Sequence, residues 1–498
     1  MNRRPAAIDF IRQAQVAARL ARLLPEGAVL HAAEDTRPYE CDGLTAYREQ
    51  PMLVALPETE QEVAAVLRTC HELGVQVIAR GAGTGLSGGA LPSREGVLLS
   101  LAKMKRILSL DPVARVARLQ PGVRNAAISE AAAPYGLYYA PDPSSQIACT
   151  IGGNVAENSG GVHCLKYGLT LHNLLRVRGC TVEGELVEFG SEALDTQGYD
   201  LLALVTGSEG MLAVTTEVTV RLIARPDTAR CIMASFDDVE RAGNAVAGII
   251  AAGIIPAGLE MMDQPATRAV EEFVHAGYDL DAQALLLCES DGTQEEVDEE
   301  IGRMCEVLKA AGATGIRVSG DEAERLRFWA GRKAAFPAVG RISPDYYCMD
   351  GTIPRRKLGE VLRFIAAMEK KYALRCPNVF HAGDGNLHPL ILFDANDAEQ
   401  LRRTENFAAE VLEKCIAVGG TITGEHGVGI EKINQMCTQF APLELEAFRG
   451  VKRAFDPRGL LNPGKNIPTL HRCAEYGGMH LRGGRGGATS PNAGLPRF

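Results

Sequence analysis

The chain has 498 residues, more than a single hydrophobic core usually serves, so two or three domains are expected. Its net charge of −10 argues against nucleic acid as a partner, because phosphates are bound by basic surfaces. The thirteen cysteines include no C-x-x-C pair, which argues against a zinc ribbon or a cysteine-ligated iron–sulfur cluster. They predict free, mostly buried thiols in a reducing cytoplasm.

The first predicted element is an amphipathic helix within residues 1–34. Apolar side chains recur there at helical spacing and would form one buried face. They are Ile8, Ile11, Val16, Leu20 and Leu23.

Strands and helices alternate from residue 35 to residue 225, and we expect a first full domain there. Within it, Thr59 has the type and position of a helix N-cap, and Gly74 is suited to end the same helix. Further along, the apolar run 245–259 is shorter than the roughly 20 residues of a membrane span. It therefore predicts a helix of a water-soluble domain and the end of that helix.

Residues 226–455 predict a second, α+β domain. Strands such as "RCIMASF" and "ALLLCES" lie between long helices such as "TQEEVDEEIGRMCEVLKAAG". We expect the helices of this domain to cover one face of its sheet. The glycine-rich residues 476–498 are expected to be disordered.

A glycine-rich segment, "RGAGTGLSGGA" at residues 80–90, follows a predicted strand. Its peptide N–H groups can form a nest for pyrophosphate, although a flexible loop would have the same composition. It lacks the Gly-Lys-Ser/Thr of a Walker loop, and the next strand leads to Lys103 rather than to the acid of a Rossmann fold. Two further glycine-rich segments, residues 140–168 and 206–218, favour a dinucleotide site over chance loops.

These three segments resemble the FAD-binding domain of the vanillyl-alcohol oxidase family of flavoproteins. The resemblance implies that the first loop wraps the FAD pyrophosphate, and the lack of histidine in residues 80–90 implies non-covalent FAD. The residues assigned to the cofactor on this basis are Arg80, Gly81, Ala82, Gly83, Thr84, Gly85, Gly88, Gly89, Pro141, Pro143, Ser144, Ser145, Gly152, Gly153, Asn158, Gly160, Gly161, Glu209, Gly210 and Val214.

A second motif, "VFHAGDGNLHPLILF" from residue 379, predicts a β-hairpin with two histidines. With residues 383–386 as its loop, His381 lies directly opposite His388, at a spacing that suits one divalent ion. Glu425, in "GEHG", is the expected third ligand, because the flanking glycines free the backbone to aim it inward. Satisfied histidines on glycine-rich turns, or a zinc hydrolase, are the alternatives at this point.

"HAGDGNLH" and "GEHG", downstream of the FAD motifs, resemble the FAD-linked D-2-hydroxyacid dehydrogenases over about residues 35–475. The resemblance is closest to members that oxidise glycolate. It implies that glycolate, and D-lactate, are oxidised to the 2-oxoacid, with FAD taking the hydride. The metal at His381, His388 and Glu425 would be zinc, iron or manganese.

Three more residues have expected roles, and those of Arg332 and Asn462 are implied by the same resemblance. His426, which lies beside Glu425, is the expected general base, with an unperturbed pKa near 6.5. Arg332, in "RFWAGRKAAF", is expected to hold the substrate carboxylate. Asn462 is expected near the flavin, on a segment at residues 456–475 that returns to the first domain.

The expected fold is therefore α+β: an FAD-binding domain of the vanillyl-alcohol oxidase type at 35–225 and an α+β cap domain with an antiparallel sheet at 226–455. Only Arg341 is basic between Lys333 and Gly351, so no second clamp for a distal carboxylate is expected and a small monocarboxylate is favoured. D-lactate or D-2-hydroxyglutarate dehydrogenase, and a non-catalytic FAD subunit, are the alternatives.

The resemblance also implies partners. They are an iron–sulfur subunit and a second FAD-type subunit, with no nucleic acid. The expected location is the cytoplasm, with attachment to the inner face of a bacterial plasma membrane through those partners at most.

Overall fold

The computed structural model describes residues 8–193 and 198–469. The glycine-rich tail at 476–498, predicted to be disordered, lies outside the described residues.

The N-terminal half contains short helices and three sheets. Its elements are α1 (Phe10–Leu20), β1 (Val29–Leu30), α2 (Ala33–Thr36), β2 (Leu53–Ala55), α3 (Glu60–Leu73), β3 (Gln76–Arg80), β4 (Gly96–Ser100), β5 (Ile107–Asp111), β6 (Val116–Leu119), α4 (Asn125–Ala132), β7 (Leu137–Tyr138), α5 (Ile151–Glu157), α6 (Cys164–Tyr167), β8 (Leu174–Cys180), β9 (Leu186–Gly190), α7 (Leu201–Val205), β10 (Val214–Arg221) and β11 (Ile223–Ala224).

Two of these sheets form the body of the half. A four-stranded sheet has the order β1-β2-β4-β3, with β2, β4 and β3 parallel, and its core is shared with α1 and α3. A five-stranded antiparallel sheet has the order β5-β6-β10-β8-β9. Helix α5 packs against β10, which brings the second and third glycine-rich segments together.

Local sequence explains the ends of α3. Thr59 and Glu62 form a reciprocal capping box at its start, and Gly74 is left-handed with φ +64° at its end, so both predicted boundaries are confirmed. The predicted apolar face of α1 is wrong in part. Val16 and Leu20 are buried, but Ile11 is 86% exposed, since nothing packs on that side of the helix.

The C-terminal half is built on one seven-stranded sheet. Its elements are β12 (Thr228–Phe236), α8 (Val239–Ala251), β13 (Gly258–Asp263), α9 (Gln264–Val274), β14 (Ala284–Gly292), α10 (Gln294–Ala310), β15 (Gly315–Val318), α11 (Glu322–Lys333), α12 (Ala335–Val339), β16 (Asp345–Cys348), α13 (Leu358–Tyr372), β17 (Asn378–His381), β18 (Asn386–Phe393), α14 (Ala398–Ala417), α15 (Met436–Gln439) and α16 (Pro442–Phe455).

The seven-stranded sheet is antiparallel, in the order β15-β12-β14-β13-β17-β18-β16. The expectation that helices cover one face is wrong. Helices α8, α10, α13 and α14 share one core with the sheet, and α9, α11 and α12 share another on the opposite face. Strands β13 and β18 are buried at every position, as strands covered on both faces are.

The segment after α16 runs back to the N-terminal half. Leu461 forms a parallel bridge to Val77 of β3, and the N–H of Asn462 donates to the Val77 carbonyl at 2.8 Å.

The apolar run 245–259 forms the end of α8, as predicted, and the start of β13. No helix among residues 8–193 and 198–469 is long and apolar enough to cross a bilayer. Most cysteines of the described residues are free and buried, as predicted.

Candidate active site

A cavity of about 490 Å³ lies between the two halves. The N-terminal half contributes parts of all three glycine-rich segments. The cap contributes a smaller patch, composed of Lys333, Phe336, Pro337, Tyr346, His388, Glu425 and His426.

Most residues assigned to FAD from the sequence border this cavity. They are Arg80, Gly81, Ala82, Gly83, Thr84, Gly85, Gly89, Pro143, Ser144, Ser145, Gly152, Gly153, Glu209, Gly210 and Val214. Glycine is needed at some of these positions because the backbone lies so close to neighbouring atoms that a Cβ would not fit. A Cβ on Gly81 would collide with the Thr150 hydroxyl, and a Cβ on Gly152 would lie 2.6 Å from Pro121.

The cavity suits a large polar cofactor. Its wall consists largely of backbone and small side chains, and it includes buried polar atoms that have no protein partner. The Thr150 hydroxyl and Oε2 of Glu157 are two of them. Buried polar groups are normally hydrogen-bonded, so partners supplied by a ligand account for both.

Six of the assigned residues do not border the cavity, and two of them contact segments that support its wall. Gly160 is the most informative of them, because a Cβ there would lie 2.5 Å from Oε2 of Glu425. The amide of Asn462 donates to the carbonyls of Gly89 and Glu209 at 3.0 and 2.7 Å, and so ties the C-terminal segment to the glycine loop. The others are Gly88, Pro141, Asn158 and Gly161.

The histidine hairpin has a four-residue loop, as predicted, but the loop is shifted by one residue. Residues 382–385 form it instead of 383–386, and His381 pairs with Asn386 rather than with His388. The N–H of Asn386 donates to Asp384 within the turn, and Asn386 begins the second strand. The two histidines still share a face, since Asn386 and His388 are two residues apart on β18.

His381, His388 and Glu425 converge into one donor cluster, with their ligand atoms within 4.8 Å of one another. The two imidazole rings are nearly perpendicular, at 84°, and their centroids are 4.9 Å apart. Their Nε2 atoms lie 3.2 and 2.8 Å from Oε1 of Glu425. Although burial raises it, these two rings hold the pKa of Glu425 well below its ordinary value.

The outer nitrogens of both rings are also occupied. Nδ1 of His381 lies 2.8 Å from Glu260, and Nδ1 of His388 lies 3.2 Å from the carbonyl of Met349. A carboxylate or carbonyl behind each imidazole is the arrangement found around metal-bound histidines, because it fixes the tautomer and aims Nε2 at the ion. The cluster therefore fits a divalent metal.

Asp350 holds the segment that carries Glu425 and His426. Its carboxylate accepts backbone N–H bonds from Gly424, Glu425 and His426 at 2.9 to 3.1 Å. Burial raises the Asp350 pKa, but His426 and Lys432 together bring it down to about 2. The two side chains point inward because of this buried anion, which the sequence reasoning missed, and not through glycine freedom alone. The sequence feature that could have indicated this anion is Asp350 in "CMDGTIP".

A second donor set, Cys348, His388 and His426, is also compact. The rings of His388 and His426 are stacked at 2° with centroids 4.9 Å apart. Their in-plane lone pairs lie in two parallel planes and cannot both point at one ion, so this set is the poorer metal site. Burial lowers the pKa of His426 to about 4, well below the unperturbed value expected from the sequence.

Arg332 lies behind the metal cluster. Its side chain is 2% exposed, and Nε donates to Glu260 at 2.8 Å, on the carboxylate that also holds His381. Its Nη2, which carries two N–H groups, is buried without a protein partner, and Arg332 is not among the residues that border the cavity. The neighbouring Lys333 borders the cavity, whereas Arg341 lies over the ring of Phe273. The expectation of no second clamp for a distal carboxylate stays a prediction, and Lys333 is the residue that bears on it.

A glycine-walled cavity between a two-sheet domain and a histidine-bearing cap defines an FAD-linked oxidoreductase with the vanillyl-alcohol oxidase fold. Family models for an FAD binding domain and for the C-terminal domain of FAD linked oxidases match residues 51–190 and 225–466. The chain belongs to this family of FAD-linked oxidases, as its motifs predicted.

Comparison with individual proteins supports the same family. The chain is 62% identical to the glycolate oxidase subunit GlcD of Escherichia coli (strain K12) over 483 residues, which cover 97% of each chain. It is 37% identical to the protein of the same name from Bacillus subtilis (strain 168), over 86% of this chain and 91% of that one. A D-lactate dehydrogenase of Anaerostipes hadrus is 33% identical, over 88% of this chain and 94% of the relative.

Solved structures share the fold at low identity. p-Cresol methylhydroxylase with substrate bound superposes with a TM-score of 0.80 at 16% identity, covering 94% of this chain and 99% of that one. Alkyldihydroxyacetonephosphate synthase gives 0.71 at 17% identity, covering 93% and 86%. The predicted α+β fold with an FAD-binding domain of this type is confirmed.

Proposed function

We propose that the protein oxidises glycolate, and D-lactate, to the corresponding 2-oxoacid. The observation that carries the proposal is the meeting of His388, Glu425 and His426 with the glycine-rich walls of one cavity. The similarity to glycolate oxidase subunits and to a D-lactate dehydrogenase points to the same substrate class. The proposed division is 35–225 for FAD, 226–455 for the cap and 456–475 for the return.

The cofactor, the metal ligands and two further side chains have separate roles in the proposed reaction. Bound FAD, held non-covalently, supplies the hydride acceptor. A divalent ion held by His381, His388 and Glu425 would acidify the substrate hydroxyl. His426 borders the cavity and takes the hydroxyl proton, since its imidazole is neutral at neutral pH. Nη2 of Arg332 holds the carboxylate, which accounts for its lack of a protein partner.

The metal part is tested by single substitutions. His381→Ala, His388→Ala and Glu425→Ala should each lose the metal and most glycolate-dependent dye reduction while keeping FAD. His31→Ala, an exposed histidine of the N-terminal half, is the matched control. Full activity in metal-depleted His388→Ala would remove the metal from the mechanism.

A second candidate is a dicarboxylate such as D-2-hydroxyglutarate. It is favoured by Lys333, which offers a second cation at the cavity. Comparison of kcat/KM for glycolate and D-2-hydroxyglutarate, in the wild type and in Lys333→Met, separates the two. A dicarboxylate preference that disappears in Lys333→Met would replace glycolate as the substrate.

Reoxidation of the flavin is the other half of the proposal. Partner subunits are expected, since the Escherichia coli relative is by name a subunit of an oxidase. We propose that they are the iron–sulfur subunit and the second FAD-type subunit that the resemblance of the motifs implies. The complex would be cytoplasmic, and any membrane contact would be peripheral and made by the partners. The isolated chain should reduce an artificial dye with glycolate but consume oxygen slowly. Peroxide formation at the rate of dye reduction would show that it needs no partner.

A further inference from the structure

Glu157 is a carboxyl at the cavity that no step of the proposed reaction uses. It is the last residue of α5, and its side chain borders the cavity. Its Oε2 is shielded from solvent and has no hydrogen-bond partner. A buried carboxyl oxygen in that state costs about 1–3 kcal/mol, so a missing partner is the natural explanation.

Three glycines lie close to the Glu157 carboxyl. A Cβ on Gly89 would lie 2.9 Å from Oε1, and a Cβ on Gly85 would lie 4.0 Å from it. On the cap side, a Cβ on Gly427 would collide with Oε2. The carboxyl therefore lies where the glycine loop meets the segment that carries His426, at the reacting end of the cavity.

The neighbouring Glu209 shows what a satisfied carboxylate looks like here. It accepts from the N–H groups of Val428 and Gly429, both at 2.7 Å, and from the amide of Asn466 at 2.6 Å. Glu157, beside it, has none of these donors. The difference indicates that Glu157 is directed at a ligand and Glu209 at the protein.

We propose that Glu157 donates a hydrogen bond to the flavin of bound FAD and thereby raises its reduction potential. The inference rests on FAD binding and does not depend on the substrate. The reduced flavin carries more negative charge than the oxidised one, so a fixed donor stabilises it more.

The charges around Glu157 explain why it carries the proton that it donates. Burial, and then the negative charge of Glu209, raise the pKa of the Glu157 carboxyl well above its ordinary value. Asp42 adds to this effect, while Lys432 opposes it from a distance. Lys432 is itself engaged by Glu431 at 3.0 Å.

Lys465, the other buried cation nearby, is also engaged. It donates to the carbonyls of Gly89 and Leu91 and to the side chain of Asn462. No cation of the described residues forms an ion pair with Glu157, so the neutral, hydrogen-donating form is favoured.

The test is the midpoint potential of the flavin, measured on the holoprotein without substrate by equilibration with a redox dye. Glu157→Met keeps the length of the side chain and removes the donor. We expect the ratio of reduced to oxidised affinity to fall about tenfold, which lowers the potential by about 30 mV for a two-electron couple. Glu157→Gln keeps a donor and should stay within threefold of the wild type, about 14 mV.

Two further variants make the result specific. Glu369→Gln changes a half-buried carboxyl of α13 that accepts from the N–H of Cys376 and does not border the cavity, so it should leave the potential unchanged. If Glu157→Met does not retain FAD, Glu157→Asp replaces it, because the shorter side chain loses the contact. If the midpoint potential of Glu157→Met or Glu157→Asp lies within about 14 mV of the wild-type value, or above it, the proposal is overturned.

Discussion

Adding one methyl group at Gly160 should weaken metal binding while FAD binding is retained. From the sequence it was assigned to FAD, but the structure points it at the metal cluster. A Cβ there would lie 2.5 Å from Oε2 of Glu425 and 3.0 Å from Leu169. The φ of Gly160 lies outside the left-handed region, so Gly160→Ala brings no backbone strain and acts by contact alone.

The size of the effect follows from that distance. Ordinary contact with a Cβ begins near 3.4 Å, so the Glu425 carboxylate must retreat by about 0.9 Å. Metal–ligand bonds tolerate only about 0.2 Å of change. We therefore expect Gly160→Ala to lose about 10- to 100-fold in metal affinity, as mutations beside metal ligands do. FAD should be retained, because Gly160 does not border the cavity.

The assay is metal content after dialysis against a graded chelator, with flavin content measured on the same samples. Gly302→Ala, in the middle of α10, is the control, because no atom lies within 4 Å of its added Cβ. Metal affinity within threefold of the wild type, or loss of FAD with the metal retained, would refute the reasoning.

Three other predictions test different parts of the molecule. Cys348→Ser should leave metal affinity within threefold, since the stacked rings of His388 and His426 do not form a site with Cys348; loss of the metal would favour that donor set. Asn462→Ala removes the hydrogen bonds to the carbonyls of Gly89 and Glu209 and should cost about 1–3 kcal/mol of stability and weaken FAD binding, measured by urea unfolding and cofactor titration; wild-type values would contradict this. Burial raises the pKa of Glu431 from 4.5 to about 7, so the folded protein keeps a proton that the unfolded chain releases. Relative to Glu431→Gln, the wild type should therefore lose up to about 3 kcal/mol of stability as the pH rises from 4.5 to 7, and a flat difference in urea unfolding would show that Glu431 titrates normally.

Local sequence determined the elements and the family. The ends of α3, the strand before the glycine loop and the hairpin with its two histidines all depend on interactions within a few residues, so spacing and residue type suffice to predict them. The FAD-linked family followed from the motifs at residues 80–90 and 140–168, because the chemistry of backbone nests is carried by contiguous glycines.

The tertiary structure decided what those elements meet. The hairpin register differed from the prediction because the four-residue turn begins one residue earlier, with Asp384 accepting from the N–H of Asn386. The second set of helices on the sheet was hidden because a strand buried on both faces has no alternating pattern. Contacts such as Gly160 with Glu425, and Asp350 with residues 424–426, join parts of the chain that are far apart in sequence. Neither partner's local sequence specifies such a pair, since it exists only once the chain has folded.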